Sequence, residues 1–124
     1  MIPWVRLGTA SVPGDGGELR LMQRGLEFSI VAGPMELMNS RVSGSDEALG
    51  SMICARVRER PRPHILIGGY GMGFTLRTVL AALGPDAKFT VAELVPEVIA
   101  WARGPLAALH GKSLRQELVE RGPP

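Results

Sequence analysis

Polar and apolar residues alternate in two short runs near the start of the chain, Glu18-Leu19-Arg20-Leu21-Met22-Gln23-Arg24 and Glu27-Phe28-Ser29-Ile30-Val31-Ala32. A period of two bounded by turn formers such as Gly16-Gly17, Gly25 and Gly33-Pro34 predicts half-buried antiparallel strands, with room for a third from Met35 to Met38. A different period follows. Leu49, Met52, Ile53 and Val57 recur at helical spacing behind Ser43-Gly44-Ser45-Asp46-Glu47, where Ser43 or Ser45 suits the cap and the acids suit the first turn. This helix is expected to stop near Arg60, because Pro61 and Pro63 disfavour helical geometry in the residues before them.

Past Arg60-Pro61-Arg62-Pro63 the pattern changes again. His64-Ile65-Leu66-Ile67 is a short continuous apolar run, as in a strand buried on both faces of a parallel sheet. Phe74 to Leu83 reads as a helix closed by Gly84-Pro85, and Lys88 to Ala92 as a second strand. Pro96 then suits the first position of a helix through Val98, Ile99, Trp101 and Ala102. Strand, glycine turn, helix, strand, helix is the βαβα order of a doubly wound sheet. The predicted fold class is therefore α/β, a partial Rossmann-like parallel sheet preceded by a small antiparallel β-hairpin module. The module is expected over residues 1–42, a connecting helix over 43–62, and the first half of a nucleoside-binding domain over 63–124. Within the tail, Leu114 to Glu120 have helical propensity.

Composition narrows the function classes. With 45% hydrophobic and 21% charged residues the chain can bury a core, which excludes wholesale disorder. A net charge of +2, with no long run of like charges and few aromatics, argues against nucleic-acid and membrane-surface binding. Neither a secretory signal nor a membrane-length apolar run is present, so the expectation is a cytoplasmic protein. Cys54 is the only cysteine, and its apolar surroundings Met52-Ile53-Cys54-Ala55 predict a small buried hydrophobe. His64 and His110 lie far apart with no Cys or carboxylate at ligand spacing, so no metal site is expected.

The chemistry-bearing pattern is Gly69-Tyr70-Gly71-Met72-Gly73, directly after the first parallel strand and before a helix. Glycines let the backbone turn tightly and approach a ligand without a Cβ in the way, and the helix start turns free amides toward it. Glu93 ends the next strand, where a carboxylate can accept hydrogen bonds from ribose hydroxyls. The glycine spacing lacks the last glycine of dinucleotide fingerprints, which favours an adenosyl ligand without pyrophosphate, and no G-K-[ST] follows to make a P-loop. Tyr70 and Met72 either contact the ligand or pack against the helix. The alternative to a ligand site is a purely structural βα turn with Glu93 facing water.

From about Leu19 to Leu109 the chain resembles the spermidine synthase-like (polyamine synthase) branch of the S-adenosylmethionine-dependent class I transferases. The resemblance rests on Ile65-Leu66-Ile67-Gly68-Gly69-Tyr70-Gly71-Met72-Gly73, on Leu76-Arg77, and on Val91-Ala92-Glu93-Leu94-Val95-Pro96-Glu97-Val98-Ile99. It implies a class I methyltransferase-type sheet behind a β-hairpin domain, with S-adenosylmethionine or its decarboxylated form bound at Gly69, Tyr70, Gly71, Gly73 and Glu93. Asp46-Glu47 resembles the acidic pair before the family's Tyr-His-Glu triplet, which implies a contact with a cationic ligand tail; the plainer reading is two first-turn acids. This chain has Gly50-Ser51-Met52 in place of the triplet, Arg41 in place of an upstream glutamine, and Gly71 in place of an aspartate. The family's catalytic aspartate loop has no counterpart in the sequence, so no catalytic residue is assigned and turnover by this chain alone is not expected.

Two functions follow as expectations. One is a transferase relative, spermidine synthase-like or methyltransferase-like, that takes a small nucleoside ligand. The other is a non-catalytic binding or assembly module. Half a sheet exposes an edge strand and apolar faces, so a homo-oligomer or recruitment of a missing half is expected as well.

Overall fold

The computed structural model describes residues 2–110; Met1 and the tail, including the helical stretch expected at Leu114 to Glu120, lie outside the described residues. The architecture is α/β. Four antiparallel strands, β1 (Val5–Ser11), β2 (Glu18–Arg24), β3 (Glu27–Ala32) and β4 (Met35–Asn39), pair in chain order. Helix α1 (Gly44–Val57) leads to a parallel pair, β5 (His64–Gly68) and β6 (Lys88–Ala92), joined through α2 (Phe74–Ala82). Helix α3 (Pro96–Arg103) and a 3-10 turn at Pro105–Leu109 follow.

Turn chemistry fixes the antiparallel sheet. Gly25 and Gly33 adopt φ of +60° and +58°, a left-handed backbone that glycine enters without a Cβ penalty; β2 and β3 pair in continuous register around Gly25, and β3 and β4 pair around Gly33 with a shift between Ile30 and Val31. Alternation then places Leu21, Phe28 and Ile30 on one buried face. β1 is an element the alternation did not reveal. Its register against β2 shifts between Arg6 and Gly8, and Val5 and Leu7 stay exposed, so its apolar residues do not report its inner face. That inner face meets Trp101 of α3, whose Nε1 lies 2.9 Å from where a Gly8 Cβ would stand. Only glycine admits the indole there.

Two expectations require correction. The stripe Leu49, Met52 and Ile53 does not face the core; these side chains are exposed and α1 buries Gly50 and Cys54 instead. The reason is close approach. A Cβ on Gly50 would stand 2.9 Å from Thr78 Cγ2, so the missing side chain lets α1 lie directly on α2. The helix also ends at Val57, before the expected Arg60, and the Ser43 hydroxyl donates to Glu47 Oε1 at 2.5 Å instead of capping a backbone amide. The second correction concerns β5. Ile65 and Ile67 are buried while Leu66 is 69% exposed, so the strand is covered on one face only. On the open face His64 Nε2 lies 2.7 Å from Thr90 Oγ1 of β6.

The remaining elements follow their sequence signals. Lys88–Ala92 forms the expected strand, Pro96 opens α3, and α2 stops one residue before Leu83. Cys54 is buried, and that burial pushes its thiol up from the ordinary range. One apolar cluster unites Leu21 and Ile30 of the antiparallel sheet with Ile65, Ile67, Leu76, Val79, Trp101 and Leu106. No helix among the described residues is long and apolar enough to cross a membrane.

Candidate functional site

The carboxyl ends of β5 and β6 open into the same region, because parallel strands point the same way. After β5 the chain turns through Gly69, Gly71 and Gly73, with φ of +86°, +59° and +87°. A side chain in this left-handed region costs about 1–2 kcal/mol, so three such positions in five residues explain the glycines on conformational grounds alone. Gly73 stands at the N-cap of α2, and the first-turn amides of that helix, which have no partner within the helix, face the turn.

Glu93, one residue past β6, reaches back across the gap between the strands. Its Oε1 accepts the backbone N–H of Tyr70 at 2.8 Å and its Oε2 accepts the N–H of Val95 at 3.0 Å. The carboxylate therefore does not simply face water. It ties the glycine turn to the start of α3. A carboxylate offers about four lone-pair sites, so the two amides leave about two for further donors.

Around this pair lies a cleft of about 340 Å³, small-molecule sized and at the lower end of the range for ligand pockets. Gly69, Tyr70, Gly71, Gly73 and Glu93 all line it, so the structure brings these five predicted site residues together. Met72 lines it too. Asp46, at the start of α1, reaches the cleft from the other side, and its carbonyl accepts the Thr75 hydroxyl at 3.3 Å. Glu47 is not brought to the cleft. It sits 3.5 Å from the Arg77 guanidinium and takes the Ser43 hydroxyl, a link between α1 and α2. Arg41, the departure from the family's glutamine, lies 3.5 Å from Glu27.

Sequence reasoning missed the wall contributed by the antiparallel sheet. Leu19, Ile30, Leu37, Met38 and Asn39 line the cleft, and the Met38 methyl lies 3.0 Å from where a Gly71 Cβ would stand. No local signal marks these residues, since strand alternation says which face is apolar but not what it will meet. Among the described residues the lining includes the carboxylates Asp46 and Glu93 and no lysine, arginine or histidine.

Tyr70 turns inward from the loop. Its ring is buried, its hydroxyl has no hydrogen-bond partner among the described residues, and burial pushes its pKa up to about 12. The hydroxyl lies 2.3 Å from a Cβ built on Gly73, a second reason for glycine at that position. His110 completes the inner side. Its Nε2 lies 2.5 Å from the Met72 carbonyl and its ring meets Phe74 edge-on at 5.5 Å.

Neither a family model nor a curated protein matches this chain.

Proposed function

We propose that this chain is a spermidine synthase-like relative of the class I S-adenosylmethionine transferases, its half-sheet a Rossmann-like nucleoside site that binds S-adenosylmethionine or its decarboxylated form. The observation that carries this reading is the position of Glu93, hydrogen-bonded to the glycine turn and lining the same small cleft. Its spare lone pairs suit the two vicinal hydroxyls of a ribose, and Gly69, with nothing within 4 Å of where a Cβ would stand, offers open backbone against which an adenosyl group can rest. The lining fits the ligand's charge as well. Two carboxylates and, among the described residues, no cation favour a sulfonium or ammonium over a pyrophosphate. When bound, the sulfonium supplies an electrophilic carbon for methyl or aminopropyl transfer. On the protein's side, Glu93 orients the sugar, the glycine turn admits the ring, and Asp46 faces a cationic tail. No general base is assigned, so the proposal concerns binding.

Calorimetric titration with both ligands tests it. The expected result is saturable binding that weakens by about 10-fold or more in Glu93→Ala, from loss of the ribose acceptors. Absence of binding by either ligand, or unchanged affinity in Glu93→Ala, overturns the reading. The exposed Leu66 of β5 and the exposed Leu49 and Met52 of α1 favour a second reading, an assembly module that associates through exposed apolar side chains. A stable oligomer indifferent to both ligands decides for it.

A further inference from the structure

His110 is outside the cleft lining, yet it is buried against the glycine turn, about 40 residues along the chain from it. Its two ring nitrogens have different partners. Nδ1 lies 3.4 Å from Nη1 of Arg77, which can only donate, so Nδ1 is the acceptor. The proton is thus on Nε2, donated to the Met72 carbonyl. Arg77 is itself held in place, with Nη1 donating to the Leu109 carbonyl at 3.2 Å, Nη2 beside Glu47, and its guanidinium 4.8 Å above the Phe74 ring.

A turn with three left-handed glycines has little conformational preference of its own; one internal bond, from the Gly73 N–H to the Tyr70 carbonyl at 3.0 Å, closes it, and contacts from outside fix the rest of its shape. Glu93 supplies one, on the Tyr70 amide, and His110 supplies another, on the Met72 carbonyl. We propose that His110 is a positioning residue for the cleft: its neutral ring, donating to Met72, holds the glycine turn in its ligand-facing shape, so protonation of the ring weakens nucleoside binding. The role of the ligand rests on the function proposed above; the tether itself does not.

The chemistry gives the direction. Protonation places an N–H on Nδ1, opposite the Arg77 donor, and sets a cation against a guanidinium. Among the described residues, the charged and titratable groups that face the ring are Arg77 on α2 and the Tyr70 hydroxyl in the turn, with Glu47 of α1 behind Arg77. Burial lowers the His110 pKa, the Met72 hydrogen bond opposes that, and Arg77 lowers it further, so the ring is neutral at neutral pH.

The test uses the full chain and S-adenosylmethionine over about pH 5–8, the range in which histidine titrates. Wild-type affinity is expected to fall on the acid side, by up to about tenfold per pH unit. His110→Gln keeps a donor for Met72 but cannot titrate in this range, so its affinity is expected to stay flat within about twofold. His64→Gln, at the opposite end of β5, is expected to keep the wild-type profile. An acid loss in His110→Gln equal to wild type overturns the proposal. Nitrogen-resolved NMR of the ligand-free protein gives an independent readout, which also serves if His110→Gln does not fold. The His110 ring is expected as the Nε2–H tautomer, with the amide shifts of Tyr70, Gly71 and Gly73 following its titration. A Nδ1–H tautomer, or turn amides indifferent to the ring, overturns the tether. Should no ligand bind at any pH while the turn amides follow His110, the functional reading fails and the tether stands.

Discussion

Glu93 and Tyr70, 23 positions apart, are joined by a 2.8 Å hydrogen bond from the Tyr70 amide to the Glu93 carboxylate. The bond links the turn after β5 to the turn after β6, so a residue expected to hold a ligand also holds the protein together. Its other oxygen takes the Val95 amide. Removal of the side chain should therefore lower stability as well as affinity. Glu93→Ala is expected to cost about 1.5–3 kcal/mol in urea unfolding, the range for hydrogen bonds to a charged group whose partners are left behind. A stability equal to wild type would show that water replaces the carboxylate at both amides without loss.

Gly73 is constrained twice, by φ of +87° and by the Tyr70 hydroxyl 2.3 Å from its would-be Cβ. Gly14 has φ of +73° but nothing within 4 Å. Gly14→Ala is expected to lose only the conformational cost, about 1–2 kcal/mol. Gly73→Ala should lose about 1–3 kcal/mol more from overpacking. Tyr70→Phe alone should be neutral or slightly stabilising, because it deletes a buried hydroxyl that has no partner. Paired with Gly73→Ala it should restore part of the loss. Equal losses at Gly14 and Gly73 would contradict this account.

Buried groups shape the pH dependence of stability: His110 on the acid side, and on the alkaline side Cys54, whose thiol burial pushes up, together with Tyr70. His110 has a lowered pKa in the folded protein, so the folded state binds fewer protons than the unfolded one; stability is full above the unfolded value of about 6.5 and is lost as pH falls through it toward the folded value. Tyr70, the only tyrosine, has a raised pKa of about 12; stability is full below the unfolded value of about 10 and is lost as pH rises from there toward 12. Thermal melts across pH should show both limbs. His110→Gln should reduce the loss that begins below about pH 6.5, Tyr70→Phe the loss that begins above about pH 10, and phenolate absorbance should rise late, near pH 12.

Gly50 offers a test in which two rules disagree. In an exposed helix, alanine is favoured over glycine by about 1 kcal/mol. Here a Cβ would stand 2.9 Å from Thr78 Cγ2 and 3.3 Å from the Thr75 carbonyl, and close packing should win. Gly50→Ala is expected to lower the melting temperature. Thr78→Ala, which removes the colliding methyl, should reduce that loss in a double-mutant cycle. A more stable Gly50→Ala would mean that α1 shifts off α2 at little cost.

The sequence by itself determined the elements whose signals are local. β2, β3, β6, α2 and α3 were legible because period-two alternation, helix-starting Pro96 and turn glycines act within a few residues. The glycine turn and Glu93 were legible for the same reason, as strand ends in a βαβ order place them on one side of a sheet. Only the tertiary structure decided what each face meets. It buried Gly50 of α1, along with the Cys54 whose burial its apolar neighbours had predicted, and left Leu49, Met52 and Ile53 exposed, since close approach to α2 depends on a missing side chain that hydrophobic periodicity does not register. It also set Met38 against the glycine turn, Trp101 on Gly8, and His110 on Met72. These contacts join residues dozens of positions apart, and nothing in the chain's local pattern encodes a partner at that distance.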